Sequence, residues 1–475
     1  MPPRPMPPEH APGLLRGLLA YRGDVLAILP RVAYRRQVMA VRVLRRQIVI
    51  VNSPDVVREV FVARHAIYER KSHFKEQALR PVIGGSLFAN HGEIWSTRRA
   101  PVARMLHPSG VGRFQPVFQA VAEDLAARWS GLAGPDGGIV DVAPDLATAT
   151  LTVMLRAVFG DNVPEEEARG IADAFTVYQS RVQVIDLPHL LGLPNWASGR
   201  QKRGTLRAAA DIRERIARLI ASHAGEEGYL AGLRQARREG GGSLLDETGV
   251  LDEVAMLLLA GSETAANALA WTFFLLASHP DWIRLVREEL DAVLGPAAPE
   301  VAQLTSLVNT RAVIQEAMRL YPPVAVLSRQ PAAADRIRRW TLKPGDTLLC
   351  IPWLLHRHEE IWEAPHAFRP ERFLPENAKR IPRFAYLPFG LGPRVCAGAA
   401  FGMAEMTTLL ALLIRRFDVA PGTSPLPRFR LTLRPERGMR LVLRPISDRA
   451  TSAARMIQRS GSGDPDPVAP RPQYR

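Results

Sequence analysis

Residues 384–404 read FAYLPFGLGPRVCAGAAFGMA and form the most informative segment of this 475-residue chain. Glycines and a proline surround Cys396, and an alanine-rich helical pattern follows it. At the start of a helix, backbone N–H groups and the positive end of the helix dipole favour a thiolate over a thiol. Gly392 and Gly398 permit turns and close backbone approach that a Cβ would block. We therefore predict that Cys396 is a metal ligand.

Five positions in this segment fit the pattern FxxGxRxCxG: Phe389, Gly392, Arg394, Cys396 and Gly398. The pattern resembles the haem-binding signature of the cytochrome P450 family, and a chance match in a chain of this length has a frequency of roughly 1 in 10⁴. The resemblance implies a mainly α fold with a small β-rich portion, with haem b held by the Cys396 thiolate. It also implies that Phe389, Arg394 and Gly398 contact the cofactor. The alternative is a glycine-rich turn around an inert buried cysteine.

Two further motifs together supply one Glu and two Arg residues. Glu316 and Arg319 are three residues apart, so on a helix their side chains face each other. The segment FRPERF, at residues 368–373, supplies Arg372. As an ordinary surface pair, Glu316 and Arg319 would contribute only a few tenths of a kcal/mol. In the resemblance these three residues form a structural Arg-Glu-Arg lock behind the haem, without a role in the chemistry.

The segment AGSETA, at residues 260–265, resembles the central-helix motif of the same family. Ala260 and Thr264 are four residues apart and share a helix face, whereas Glu263 is offset from them. The resemblance implies catalytic roles for Thr264, beside the oxygen-binding position, and for Glu263, in proton relay. Taken alone, a Thr in mid-helix more commonly donates a hydrogen bond to the carbonyl four residues earlier. Many relatives have a second hydroxyl where this chain has Ala265.

Further cofactor contacts follow from two segments. Trp95 and Arg99 in HGEIWSTRR match the WxxxR of the family helix that touches the haem propionates, and Arg329 follows YPPV, where another propionate-binding arginine usually lies. Arginine suits a carboxylate because its planar fork can bond both oxygens. We expect Trp95, Arg99 and Arg329 to bind the cofactor.

The substrate is expected to be an apolar small molecule. In the resemblance, Ala260, Ala325 and Val326 line the substrate pocket, and residues 70–88 and 181–196 correspond to its access loops. Small side chains would leave room above the iron. They do not distinguish fatty acid, terpene, steroid or aromatic substrates.

Composition narrows the possible partners. The chain has 62 basic and 47 acidic residues, a net charge of +15, but its arginines are scattered without a long basic run or zinc-finger spacing, so we predict no nucleic-acid binding. Cys350 and Cys396 are its two cysteines, which excludes a disulfide scaffold and suggests a reducing, cytoplasmic compartment. The net positive charge fits docking of an acidic ferredoxin or flavodoxin-type electron donor, which receives its electrons from a reductase.

The sequence divides into a leader and possible first helix (residues 1–29), a haem domain (30–445) and a tail expected to be disordered (446–475). The longest apolar stretch, residues 254–277, could cross a bilayer by length. Glu263 near its centre would then cost roughly 2.5 to 3.5 kcal/mol. We therefore predict a buried central helix, no membrane span and a monomeric protein.

The predicted function is haem-thiolate monooxygenation. One oxygen atom of O₂ would enter an apolar substrate, with electrons from NAD(P)H delivered by the separate carrier. Two alternatives stay open: a peroxide-driven haem-thiolate peroxygenase, and a nonenzymatic haem protein that senses a ligand.

Overall fold

Helices make up most of this chain. The computed structural model describes residues 1–10, 24–43, 45–160, 163–182, 193, 203–223, 228–236 and 241–446. Its α-helices, numbered in chain order, are α1 Pro54–Arg58, α2 His73–Ile83, α3 Gly92–Met105, α4 Gln115–Ala133, α5 Val142–Phe159, α6 Glu165–Arg181, α7 Arg203–Ser222, α8 Gly228–Gln235, α9 Glu247–Ala277, α10 Pro280–Leu294, α11 Val308–Leu320, α12 Pro352–Leu355, α13 Pro375–Ala378 and α14 Ala399–Arg416. The prediction of a mainly α fold with a small β-rich portion is confirmed.

The predicted central helix is α9, the longest helix of the described residues. It begins where the Asp246 side chain accepts a hydrogen bond from Gly249 N at 2.7 Å, and it ends before Pro280. A Cβ at Gly261 would lie 2.5 Å from the Met154 sulfur of α5. This glycine therefore allows α5 to pack closely against α9.

Two described helices, α5 and α9, are long and apolar enough by composition to cross a membrane. Most of the apolar window of each is buried inside the protein, 67% in α5 and 78% in α9. Burial of this extent is typical of core helices, which pass the same compositional test.

The β-rich portion consists of small sheets. Its strands are β1 Val38–Val43, β2 Arg46–Val51, β3 Gly138–Asp141, β4 Leu327–Arg329, β5 Asp335–Ile337, β6 Trp340–Leu342, β7 Thr347–Cys350, β8 Phe417–Pro421, β9 Pro427–Phe429, β10 Leu433–Pro435 and β11 Arg440–Pro445. One sheet has the order β1-β2-β7-β4, another the order β3-β11-β8, and β5-β6 and β9-β10 form two-stranded pairs. Arg329 is the last residue of β4 and is positioned by the pairing of β4 with β7. The turn of the β9–β10 hairpin contacts α9, where Thr432 donates to Glu263.

The leader begins as extended chain that rests on the helical core. The Tyr321 hydroxyl donates to Pro3 O at 2.8 Å, and Arg31 N donates to Pro8 O at 2.9 Å. The possible first helix lies mostly outside the described residues, as do the tail and most of the predicted access loop at 181–196.

Candidate active site

The described residues enclose one main cavity, of about 330 Å³, between α9, the cysteine segment, α2 and α3. Ten of the residues predicted for the site line it: Trp95, Arg99, Ala260, Glu263, Thr264, Arg329, Phe389, Arg394, Cys396 and Gly398. The fold thus brings together groups that are more than 300 positions apart in sequence.

Cys396 lies between a 3₁₀ turn, Gly392–Arg394, and the start of α14. Its backbone N–H donates to Phe389 O at 2.9 Å, which closes the loop. Gly392 has a φ of +71°, and a Cβ there would collide with Phe61 O, so this position requires glycine. Gly398 differs: its φ is −90° and the nearest protein atom to a Cβ is 3.8 Å away, on Leu106. Protein packing alone therefore does not require glycine at position 398.

The thiol of Cys396 is accessible from the cavity but removed from bulk water. Burial raises its pKa, although a backbone hydrogen bond from Gly398 and the charge of Arg99 act in the opposite direction. The backbone at the helix start thus favours the thiolate, as predicted, but burial outweighs it in the protein without a metal. A metal ion that coordinates the sulfur would supply the missing stabilisation of the anion.

Arg394 is held against the wall of the cavity. Its guanidinium donates to Asn90 O at 2.7 Å and to Glu69 Oε1 at 3.2 Å, and it lies 4.5 Å from the centre of the Trp95 ring. Its Nε is buried and has no partner among the described residues. This donor is available to a ligand inside the cavity.

Arg99 and Arg329 place two further guanidinium groups in the same region. Arg99 donates to Val395 O at 2.7 Å, and Arg329 donates to the neighbouring Ser328 O at 2.9 Å. Burial lowers the pKa of Arg329 to about 10, with a further contribution from the nearby charge of Arg394. Neither arginine forms an ion pair with a described carboxylate, so the site accommodates added negative charge.

This donor set fits haem. The cavity offers one thiol, an apolar lining and a group of buried cations that matches the two propionates of haem. No cluster of three or more His, Cys, Asp or Glu able to hold a bare metal ion occurs in the described ranges. A metal bound by Cys396 would therefore need further ligands from a cofactor, and a porphyrin supplies them.

Thr264 and Ala260 line the cavity on the same face of α9, as predicted. The Thr264 hydroxyl donates to Ala260 O at 2.9 Å, which is the back-bond typical of a Thr in mid-helix. With its O–H engaged in this bond, the hydroxyl oxygen keeps its acceptor capacity. The side chain can thus accept a hydrogen bond from a ligand without breaking its bond to Ala260 O.

Glu263 has a less open environment than its predicted relay role requires. Its carboxylate is bound on both oxygens by Arg434 and also accepts from Thr432 at 2.7 Å and from Asn267 at 2.9 Å. Burial alone would raise the pKa of Glu263, but these partners hold it below its usual value. The arrangement ties the β9–β10 hairpin to α9, and proton relay by Glu263 stays a prediction.

Two predicted substrate contacts do not line the cavity. Ala325 is fully buried in the core, and its carbonyl accepts from Trp353 N. Pro323, Val324 and Leu327 line the wall instead, because the chain enters β4 with those residues turned inward. The prediction for Ala325 is therefore wrong, and Val326 contributes a backbone carbonyl to Lys75 rather than a lining side chain.

None of the three residues of the predicted lock lines the cavity. Arg319 donates to both oxygens of Glu316 at 2.7 Å, and both side chains are fully buried. Arg319 also donates to three backbone carbonyls, so it joins α11 to residues 356–367. Arg372 is more distant, with its Nε 3.5 Å from Glu316.

Sequence reasoning missed two lysines of the cavity, Lys71 and Lys75. Both lie within the segment 70–88, which was expected to form an access loop but contains α2. The available signal was the spacing of Lys75, Leu79 and Ile83, four residues apart, which places a cation and two apolar side chains on one helix face.

Comparisons with known proteins identify the family of this chain. The family described as Cytochrome P450 matches residues 27–443. Cyclooctatin synthase of Streptomyces melanosporofaciens is 31% identical over 395 residues, covering 81% of this chain and 84% of that protein. Pentalenene oxygenase of Streptomyces avermitilis is 30% identical over 395 residues, covering 82% and 86%. The crystal structure of the cytochrome P450DA heme domain superposes with a TM-score of 0.78 at 21% identity, covering 94% of this chain and 99% of that one.

The match covers most of the chain and includes the cysteine segment, the buried Glu316–Arg319 pair and the residues that line the cavity. Such a family binds haem iron through a cysteine thiolate, and the relatives are named as oxygenases. The chain therefore belongs to the cytochrome P450 family and is a P450 monooxygenase.

Proposed function

We propose that this enzyme inserts one atom of O₂ into an apolar cyclic substrate, using electrons from NAD(P)H that reach it through a separate ferredoxin or flavodoxin-type donor and its reductase. The observation that carries the proposal is the accessible Cys396 thiol at the wall of an apolar cavity that also holds Thr264. The proposed location is the cytoplasm.

The apolar lining supports the substrate class. Leu79, Ile83, Val102 and Met256 are among the side chains that face the cavity. One relative is named for the oxygenation of pentalenene, a cyclic hydrocarbon, which suggests a substrate of similar character here. Removing such a compound from water favours binding by roughly 25 cal/mol per Å² of apolar surface buried.

The residues that line the cavity have separate roles in the proposed reaction. When bound, haem with its thiolate ligand supplies oxygen activation. Arg99, Arg329 and Arg394 would orient the cofactor through its propionates. Thr264 would hold a proton at its hydroxyl for the reaction of oxygen, and the apolar wall would exclude competing water.

The charge of the chain supports an acidic electron donor. Its net charge of +15 would attract a protein of opposite sign at low ionic strength. We expect the reduction rate with a surrogate ferredoxin to fall as salt is added. A reduction rate independent of salt would remove this part of the proposal.

The deciding experiment measures NADPH-dependent oxygen uptake and product formation with surrogate redox partners. T264A should still consume NADPH but form at least 10-fold less product, because proton delivery by a positioned group is typically worth roughly 10² or more in rate. T272A is the matched control, since Thr272 makes the same back-bond, to Ala268 O at 2.7 Å, but lies in the core. Turnover with hydrogen peroxide alone, and none with NADPH, would instead identify a peroxygenase.

A further inference from the structure

Two ammonium groups enter the otherwise apolar part of the cavity. Lys71 Nζ donates to Phe88 O at 2.6 Å and lies 2.8 Å from the centre of the Phe88 ring. Lys75, one helical turn later, lies in the first turn of α2, and its Nζ donates to Val326 O at 3.3 Å. Both side chains line the cavity that is assigned to haem and substrate.

The cavity contains more positive charge than the cofactor accounts for. Five of its lining side chains are cations: Lys71, Lys75, Arg99, Arg329 and Arg394. Glu69 pairs with Arg394, and the lining carboxylate Glu263 is already bound to Arg434. Two haem propionates would neutralise two further cations. Positive charge beyond that of the two propionates therefore remains, and Lys75 of α2 is among the cations that carry it.

Lys75 is the cation with the least compensation. The charged group that acts on it most strongly among the described residues is Arg329, another cation, whereas Lys71 also has Glu76 nearby. Burial lowers the pKa of Lys75 to about 8. A charged amine in an apolar site is costly unless an anion or several acceptors face it. Lys75 has a single long hydrogen bond, and the Phe88 ring centre lies 5.8 Å from its Nζ.

The helix face that carries Lys75 has a cation at one end and apolar side chains toward the other. Leu79 and Ile83 follow at intervals of four residues, and all three side chains line the cavity. At 1.5 Å per residue, this face runs about 12 Å from the cation to the last apolar side chain. It matches a ligand with an acidic group at one end and a hydrocarbon body.

We propose that the Lys75 ammonium binds a carboxylate of the substrate, so that this enzyme acts on a hydrophobic acid whose apolar body lies along Leu79 and Ile83. The inference rests on the proposed function, which it deepens by naming the substrate class. Lys71 adds positive charge beside the carboxylate and remains against the Phe88 ring.

The test measures ligand affinity through the spin-state shift of the haem-loaded protein. The probes are dodecanoate and abietate, each compared with its methyl ester, which keeps the hydrocarbon body and removes the charge. We expect at least one acid to bind the wild type 10-fold more tightly than its ester. K75M should lose at least 10-fold in affinity for that acid and less than twofold for the ester, and K75R should restore most of the loss.

R80M is the matched control, because Arg80 lies on the same helix but is exposed. It should leave the affinity for both acid and ester unchanged. Equal affinity of acid and ester, equal loss of both in K75M, or no binding of either acid overturns the inference. A failure of the proposed function is distinct and is seen before any ligand is added, as a protein that takes up no haem or lacks the carbon monoxide spectrum of thiolate-ligated haem.

Discussion

The ion pair between Arg434 and Glu263 is expected to stabilise the enzyme substantially. Arg434 binds both carboxylate oxygens from the β10 strand, and the preceding turn places Leu431 and Thr432 in the cavity wall. R434M would leave the Glu263 carboxylate buried without its cation. The hairpin would then be joined to Glu263 of α9 only by the hydrogen bond from Thr432.

The size of the effect follows from the burial of the two groups. Breaking a fully buried ion pair costs roughly 3 to 5 kcal/mol. The Glu263 side chain is 6% exposed but that of Arg434 is 27% exposed, so solvent screens part of the charge. We expect R434M to lower the free energy of unfolding by about 2 to 3 kcal/mol at pH 7.

The pH dependence has a definite sign. In the wild type the folded pKa of Glu263 is depressed, so its stabilising contribution is present above its unfolded value of 4.5 and is lost as pH falls through the lower folded pKa. Without Arg434, burial becomes the dominant influence and raises the pKa of Glu263. The difference between wild type and R434M should therefore grow as pH rises from about 4.5 to 7.

Urea unfolding of the haem-loaded proteins, followed by tryptophan fluorescence, measures this difference. R440M is the control, because Arg440 is exposed and should change stability by no more than about 0.5 kcal/mol. E263Q/R434M should be more stable than R434M, since it removes the stranded charge. Equal stability of R434M and R440M at pH 7 would refute the reasoning.

Three more substitutions test other parts of the fold. R319A should leave Glu316 in the core with only the more distant Arg372 as a cation, cost roughly 3 to 5 kcal/mol, and abolish the yield of haem-containing protein; a normal yield would contradict the assigned lock. G392A should lower haem occupancy at least 10-fold in pigment assays, because a Cβ collides with Phe61 O at a positive φ, and unchanged occupancy would show that the turn relaxes cheaply. Burial raises the pKa of Glu253 from 4.5 to about 7. Between these pH values the folded state holds a proton that the unfolded chain releases. The free energy of unfolding should therefore fall by up to about 3 kcal/mol as pH rises from 4.5 to 7. E253Q should flatten this slope in unfolding curves taken across that range, and an unchanged slope would assign it to another group.

The fold class and most of the site could be predicted because their residues form local patterns. The cysteine segment, the ExxR pair and the AGSETA segment each fix a short geometry by spacing alone, and the structure brings the first and third to one cavity. The central helix also followed from its apolar run and from Pro280 beyond its end. In each case the information lies within a few residues of the functional group.

The parts that were missed depend on contacts distant in sequence. Nothing near Glu263 indicates that Arg434, 171 residues later, would bind it. In the family resemblance Ala325 lines the pocket, but the direction of its side chain depends on how β4 joins the sheet with β7. A lysine in a predicted access loop is expected to face solvent, whereas Lys75 lines the cavity because this segment folds as α2.

The central claim is that the Cys396 sulfur coordinates haem iron. The most direct measurement is the carbon monoxide difference spectrum of the reduced wild type, C396S and C350S proteins. Cys350 is the matched control, because it is fully buried in a separate core cluster and burial raises its pKa to about 12. We predict the band of thiolate-ligated haem in the wild type and C350S and its loss in C396S. Retention of that band in C396S would contradict the account.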